Sequence, residues 1–336
     1  MNRNFLFALV VLRIAANSAL AAGPFSGLVV FGDSLSDVGN VQQRTTELAP
    51  LVQPIPGPYY FNGRFSNGQN YAEVLSQGLG FGPLSRSLAG GNDFAYGDAL
   101  TTGTTFPNSL VVHDLDDQVN DFLASRTPAA SDLFVVFAGA NDLLQLIDNN
   151  QTDVMPAVNS LRGSLNRLYN SGARDFLVLN LPELGTTPEY NGDPVLSARA
   201  TGLTVQFNSA LNLSLDSFET GSPGTTVFRL DVAAVFRDLL ATPAAFGFAN
   251  VTAPAAPGLD PGAQTYDTNQ IAPNVDGYLF WDTLHPTRAT HALLGQRALQ
   301  AVPEPGSATL VLMGSLWLLS IRQRYRPRMP RSEDCN

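Results

Sequence analysis

Short apolar segments of β type alternate along this chain with segments of helical periodicity, and this alternation limits the possible fold more than any other feature. The clearest strand segments are residues 28–31, 133–137, 176–179 and 226–230. Apolar residues at helical spacing occupy residues 71–79, 110–124, 157–169, 203–218 and 290–299. Strands that alternate with helices usually pair in parallel and are covered by helices. We therefore predict an α/β fold with a mainly parallel sheet of about five strands.

Polar residues follow the first of these strand segments directly, in the sequence Gly32-Asp33-Ser34. In doubly wound folds the functional sites form at the carboxyl ends of the strands, so the hydroxyl of Ser34 is expected at that edge. A serine nucleophile there is one interpretation. The other is that Ser34 caps the next helix, as serines after strands often do.

A second candidate segment lies near the end of the chain, where Asp282 precedes His285 by three positions. Serine needs a base to take its proton, and a carboxylate that fixes the imidazole makes histidine an effective base. Pro286 keeps His285 out of helical geometry and begins the following helix. The alternative is that His285 is a capping or core histidine, because this spacing also occurs by chance.

Acyl transfer also requires hydrogen-bond donors for the developing oxyanion. Asn141 follows the strand at 133–137, so its side-chain amide is a candidate donor at the same edge, although Asn141 and Asp142 also fit an ordinary helix N-cap. Gly97 is the candidate for a backbone donor, with Gly90 and Gly91 as the other glycines of that region.

These segments together closely resemble the GDSL (SGNH) hydrolase superfamily, in its larger bacterial and plant lipase/esterase branch. The resemblance covers nearly the whole body and includes residues 62–68 and 172–182. It implies a three-layer α/β/α, flavodoxin-like SGNH-hydrolase fold. By position, Ser34 corresponds to the nucleophile, Asp282 and His285 to its triad partners, and Gly97, Asn141 and the Ser34 N–H to the oxyanion donors. Relatives often have Gly-Gly-Ala where this chain has Gly97-Asp98-Ala99, and a cysteine pair near the loop at 242–276 is absent here.

The resemblance implies an exported serine hydrolase that cleaves carboxylic esters through an acyl-enzyme. Its substrate would be a lipid, another acyl ester or an acetylated glycan, and no metal or organic cofactor is implied. Two further functions use the same site: O-acetylesterase or acyltransferase activity on extracellular polysaccharide or lipid. A non-catalytic surface or adhesion module is the alternative of another class, because a fold does not determine a function.

Both ends of the chain have the composition of targeting signals. Residues 1–22 combine Arg3, an apolar stretch and small residues before position 23, which is typical of a secretory signal peptide. Residues 302–336 contain Val302-Pro303-Glu304-Pro305, an apolar segment and an arginine cluster, an order that resembles the PEP-CTERM sorting signal. We therefore expect residues 23–301 to form the hydrolase domain, exported across the inner membrane, with an exosortase-type sorting machinery as a partner. A plain tail anchor is the alternative.

The composition excludes several other classes of protein. Between its two arginine-bearing ends the chain has 12 Arg, no Lys and 27 acidic residues, so this acidic body is not expected to bind nucleic acid. The single cysteine, Cys335, permits no intramolecular disulfide, and three histidines offer little for a metal cluster. We expect a monomer.

Two segments of the chain are candidates for covering or lining the active site. Residues 242–276 are rich in Pro, Ala and Gly and lack periodicity, which predicts a long loop, often a lid or a binding loop. Tyr59, Tyr60 and Phe61 are three consecutive aromatic residues that either line an acyl pocket or pack their loop onto the body. His113 and His291 fall on helical patterns and are expected to be surface or packing residues.

Overall fold

The regular strands of the main sheet are parallel, and their order in the sheet follows their order in the chain. A computed structural model describes residues 24–104 and 107–302. Four strands form this sheet in the order β1-β2-β3-β4, and each neighbouring pair is parallel. They are β1 (Gly27–Gly32), β2 (Asp132–Phe137), β3 (Asp175–Leu179) and β4 (Thr226–Leu230). The predicted α/β fold with a parallel sheet is confirmed.

The sheet has an irregular fifth member beside β1, formed by residues 92–96. The N–H of Val30 donates to the carbonyl of Asn92 at 2.9 Å, and the N–H of Phe94 donates to the carbonyl of Val30 at 2.8 Å. The N–H of Tyr96 then donates to the carbonyl of Gly32 at 3.2 Å. Because this segment precedes β2 in the chain but lies on the outer side of β1, it gives the sheet a flavodoxin-like order.

Helices pack in two groups, α2 against α8, and α5 against both α3 and α6, which gives the three-layer α/β/α arrangement. The helices are α1 (Asn40–Glu47), α2 (Tyr71–Gly78), α3 (Leu115–Ser125), α4 (Ala140–Asp148), α5 (Met155–Asn170), α6 (Pro194–Gly221), α7 (Val232–Ala241) and α8 (Arg288–Ala301). The sequence did not indicate α1, α4 and α7, which are only eight to ten residues long. Helix α6 begins well before the predicted segment because Asp193 caps it and Pro194 occupies its first position.

Residues 242–276 are more ordered than the predicted loop. They include a strand, β5 (Asn250–Pro254), which pairs in parallel with β6 (Tyr278–Phe280) in a separate two-stranded sheet. An apolar cluster of Tyr60, Ala255, Ala256, Leu259 and Trp281 holds this segment against the body. The lack of periodicity in the sequence reflects short elements and tight turns, and β6 leads directly to Asp282 and His285.

The predictions for the two ends of the chain lie outside the described residues. These are the signal peptide at 1–22 and the sorting signal at 302–336, of which only residue 302 is described. Across the residues that the structure does describe, none of the helices has the length and apolar character that a membrane-spanning segment requires.

Candidate active site

Ser34 lies in a tight turn immediately after β1. The carbonyl of Asp33 accepts the N–H groups of Ser36 and Asp37, each at 3.0 Å, which closes the turn. The carboxylate of Asp37 accepts the N–H groups of Asn40 and Val41 at the start of the next helix, α1, so Ser34 does not have the capping role that the sequence left open. Its side chain is half-buried and faces a cavity.

Asp282 and His285 lie close to the hydroxyl of Ser34. Nε2 of His285 is 3.0 Å from Oγ of Ser34, and Nδ1 of His285 is 2.7 Å from Oδ2 of Asp282. The other oxygen of Asp282 accepts the N–H groups of Leu284 at 2.8 Å and of His285 at 2.7 Å. The following helix is capped by Thr287 rather than by His285. The structure therefore brings together three residues that span 252 positions of the chain.

The surroundings of Asp282 and His285 favour the charged form of each residue. Burial on its own raises the pKa of Asp282, but the charge of His285, together with hydrogen bonds from His285 and Tyr60, lowers that pKa below its usual value. Burial on its own lowers the pKa of His285, but the charge and hydrogen bond of Asp282 outweigh it and raise that pKa. A histidine with this environment accepts a proton readily.

Two aromatic residues that the sequence did not assign to the site contact this pair. The hydroxyl of Tyr60 donates to Oδ2 of Asp282 at 2.7 Å. The ring of Phe65 lies against the imidazole of His285, with centroids 5.3 Å apart. The aromatic run at 59–61 was the only sequence signal for Tyr60. Its partner could not be inferred because Asp282 lies 222 positions later.

Asn141 lies in the first turn of α4 and lines the same cavities as Ser34 and His285. Its amide nitrogen donates to the carbonyl of Ala99 at 2.9 Å, which uses one of the two amide hydrogens and leaves the second. Gly139 precedes the helix and no side chain caps it, so Asn141 does not act as an ordinary N-cap.

The predicted role of Gly97 as a backbone donor is not supported by this geometry. Gly97 lines the cavity, but its N–H donates to Oδ2 of Asp37 at 2.9 Å and so already has a partner. The next residue, Asp98, also lines the cavity, at a φ of +65°, and its N–H donates to no atom of the described residues. Gly90 and Gly91 do not line either cavity that contains Ser34.

Two cavities meet at Ser34, His285 and Asn141. One is a narrow slot of about 50 Å³ between the turn of Ser34 and the body, lined mainly by apolar side chains. The other is a groove of about 560 Å³, whose size is typical of ligand sites. The groove is lined largely by aliphatic residues, among them Val41, Leu48, Val52, Ile55, Leu110 and Val112.

The remaining histidines lie outside this site. His113 is half-buried, stacks on Tyr96 with centroids 5.0 Å apart and contacts Asp121. His291 is buried in α8, and its Nδ1 accepts the N–H of Tyr71 at 3.3 Å. Within residues 24–104 and 107–302, no three His, Cys, Asp or Glu side chains are grouped so as to hold a metal ion.

Comparison with known proteins decides the family. The model of the GDSL-like Lipase/Acylhydrolase family matches residues 28–298. The chain belongs to this family. The GDSL-like family comprises lipases and acylhydrolases, so the predicted class of enzyme, a carboxylic ester hydrolase acting on ester substrates, is confirmed.

Several proteins resemble this GDSL-like chain over most of its length. A phosphatidylcholine-sterol acyltransferase of Aeromonas hydrophila is 25% identical, over 89% of this chain and 96% of that protein. A GDSL esterase/lipase of Arabidopsis thaliana is 28% identical, over 87% of this chain and 92% of that protein. Among solved structures, an acetylxylan esterase from Geobacillus stearothermophilus is 14% identical with a TM-score of 0.45, covering 84% of this chain and 95% of that one.

We predict distinct titrations for His285 and His291, which NMR can follow because the chain has only three histidines. The ring of His285 should titrate above the ordinary histidine value of about 6.5. Asp282→Asn should move that midpoint below 6.5, because burial then acts without the carboxylate charge. His291 serves as the internal reference, since burial lowers its pKa to about 3. A midpoint for His285 at or below 6.5 in the unaltered chain would contradict this account.

Proposed function

We propose that this protein hydrolyses carboxylic esters by two-step acyl transfer, with Ser34 as nucleophile, His285 as base and Asp282 as the residue that orients His285. The observation that supports this proposal is the continuous contact from Ser34 Oγ through the imidazole to Asp282, at 3.0 and 2.7 Å. Hydrogen-bond contact of nucleophile, base and orienting group is the arrangement that activates a serine.

Each step uses groups already in place. Oγ of Ser34 attacks the ester carbonyl carbon while Nε2 of His285 takes the hydroxyl proton. The bond to the alcohol oxygen then breaks, and the alcohol leaves with the proton held on Nε2. Water attacks the resulting acyl-serine and gives a proton to the same nitrogen. The bond between the acyl carbon and Oγ then breaks, and Nε2 returns the proton to Oγ, which releases the acid and restores Ser34 and neutral His285. Asp282 accepts the hydrogen bond from the imidazolium throughout.

The oxyanion donors we propose are the N–H of Ser34, the second amide hydrogen of Asn141 and the N–H of Asp98. The N–H of Ser34, like that of Asp98, donates to no described atom. Asp98 replaces Gly97 in this assignment because Asp37 already occupies the N–H of Gly97. Fixed donors of this kind stabilise the tetrahedral intermediate without reorganisation.

The aliphatic groove favours esters with a long hydrocarbon chain over acetylated glycans. Sugars are usually bound through many hydrogen-bonding side chains, whereas the lining residues around Val52 and Leu110 offer mainly hydrocarbon. The slot, at about 50 Å³, has room for only a few heavy atoms. We propose that the groove holds the acyl chain.

Acyl transfer to an alcohol is the second candidate function. One relative that resembles this chain over 89% of its length has the name of an acyltransferase that uses phosphatidylcholine. The same acyl-serine would form, and an alcohol would replace water in the second step. The two reactions can be distinguished by analysis of the products formed from a long-chain ester in the presence of an added alcohol. Acyl transfer gives a new ester, whereas hydrolysis gives the free acid.

Ser34→Ala should lower kcat for p-nitrophenyl esters by at least about a thousandfold, because no other group can form the acyl-enzyme. Asn141→Ala should lower kcat by roughly a hundredfold to a thousandfold, because one oxyanion donor is lost. Asn149→Ala, at the exposed end of the same helix, is the matched control and should retain activity. Ser34→Ala with more than about one per cent of the original turnover would refute the assigned nucleophile.

Hydrolysis of p-nitrophenyl esters from acetyl to palmitoyl should show higher kcat/KM for the longer chains. Val52→Trp should then lower kcat/KM for the long esters about tenfold or more and leave the acetyl ester nearly unchanged, because the larger side chain shortens the groove. Leu51→Trp is the matched control, since Leu51 is 89% exposed and lies outside the groove lining. A clear preference for acetylated xylan or another acetylated glycan would overturn the acyl-chain proposal.

Export is a proposal supported by the sequence of the two ends alone. In a Gram-negative host that has an exosortase, the mature protein should begin at residue 22 or 23 and lack part of the C-terminal segment, as mass spectrometry can show. A host without the exosortase is the control, in which the C-terminal segment should remain. A cytoplasmic protein that still begins at Met1 would disprove this proposal, and the monomeric state stays a prediction.

A further inference from the structure

The carboxylate of Asp282 accepts more hydrogen bonds than the orientation of His285 requires. Its Oδ1 accepts two backbone N–H groups, and its Oδ2 accepts both the imidazole Nδ1 and the hydroxyl of Tyr60, each at 2.7 Å. Asp282 is only 2% exposed, so these protein donors take the place of water. Two donors therefore share the single oxygen that faces the imidazole.

The ring of Tyr60 is fixed by packing on several sides. It contacts Trp281 edge-on and Phe65 at a tilt of 59°, with centroids 6.4 Å away in both cases. The loop before it is attached to the segment at 242–276, because the N–H of Gly57 donates to the carbonyl of Pro261 at 2.9 Å. A ring held in this way keeps its hydroxyl directed at one acceptor, and burial and the charge of Asp282 raise the pKa of that hydroxyl, so it stays a donor.

We propose that Tyr60 is a positioning residue of the triad, whose hydroxyl weakens the hold of Asp282 on the imidazolium of His285 and keeps the carboxylate in line with Nδ1. This inference rests on the proposed function of Ser34, Asp282 and His285. A carboxylate oxygen that already accepts one short hydrogen bond is a weaker acceptor for a second. Loss of the Tyr60 hydroxyl should therefore strengthen the interaction between Asp282 and protonated His285.

Other charged groups around His285 set the background for this effect. Asp33 and Asp260 both favour its protonated form, and His291 interacts unfavourably with it when both are charged. Burial raises the pKa of Asp33 to about 7. None of these residues contacts Tyr60 through a hydrogen bond, and Tyr60→Phe leaves all of them in place.

The test is Tyr60→Phe in the full chain, which keeps the packed ring and removes only the hydroxyl. The NMR titration of His285 and the acid limb of the kcat/KM profile should both move to higher pH by about 0.5 to 1 unit. The plateau kcat should fall about threefold to tenfold with KM within about twofold, since the loss affects the reacting groups rather than ester binding. Tyr59→Phe is the matched control, because Tyr59 packs on Tyr266 and does not contact Asp282.

A second measurement keeps Tyr60 and therefore tests the inference even if Tyr60→Phe does not fold. Replacing the tyrosines by 3-fluorotyrosine makes the hydroxyl of Tyr60 a stronger donor, so the midpoint of His285 should move to lower pH, and this shift should be absent in Tyr60→Phe. An unchanged or lowered midpoint of His285 in Tyr60→Phe would overturn the inference, even if activity falls. The titration of His285 needs no turnover, so it tests the role of Tyr60 independently of the proposed hydrolysis. An error in the proposed function would appear in a different measurement, as ester hydrolysis that survives Ser34→Ala.

Discussion

The buried carboxylate of Asp37 ties together the two loops that form one side of the site. Its oxygens accept the N–H groups of three residues at the start of α1 and of Gly97, at 2.6 to 3.2 Å. Burial raises the pKa of Asp37, and a charge in this position is tolerated only when it is fully hydrogen-bonded. The turn of Ser34 and the loop of Gly97 are consequently held in one arrangement, in which the N–H of Gly97 is bonded to Asp37.

A second carboxylate, that of Asp282, organises the other side of the site. Like Asp37, it is buried and receives several donors, but one of them is a titrating imidazole and another is the hydroxyl of Tyr60. The carboxylate of Asp37 is bonded only to backbone N–H groups, which do not change charge, so its role is structural. The second shares its oxygen between a proton-accepting ring and a fixed donor, so it affects how readily His285 gains and loses a proton.

Much of the fold could be predicted because strands buried on both faces have a strong apolar signal. All four predicted strand segments lie within β1 to β4, and most residues of β1, β2 and β3 are buried, whereas β4 is only partly buried. Helices α1, α4 and α7 are eight to ten residues long and offer few turns in which to establish periodicity, and of the described helices this short the sequence predicts only α2. The sequence predicts only a loop at 242–276 because β5 is short and pairs with just three residues of β6, a contact between distant positions.

The sequence by itself determined which chemical groups are available: a serine after a buried strand, one histidine with a carboxylate three residues before it, and an asparagine after a second strand. These are local patterns, and the parallel sheet brings its strand ends to one edge whatever the details of packing. Only the tertiary structure decided that Gly97 donates its N–H to Asp37 and that Tyr60 donates to Asp282, while the N–H of Asp98 has no partner among the described residues. Those pairings join residues 60 and 222 positions apart, and they depend on how loops pack around buried charge, which no local pattern encodes.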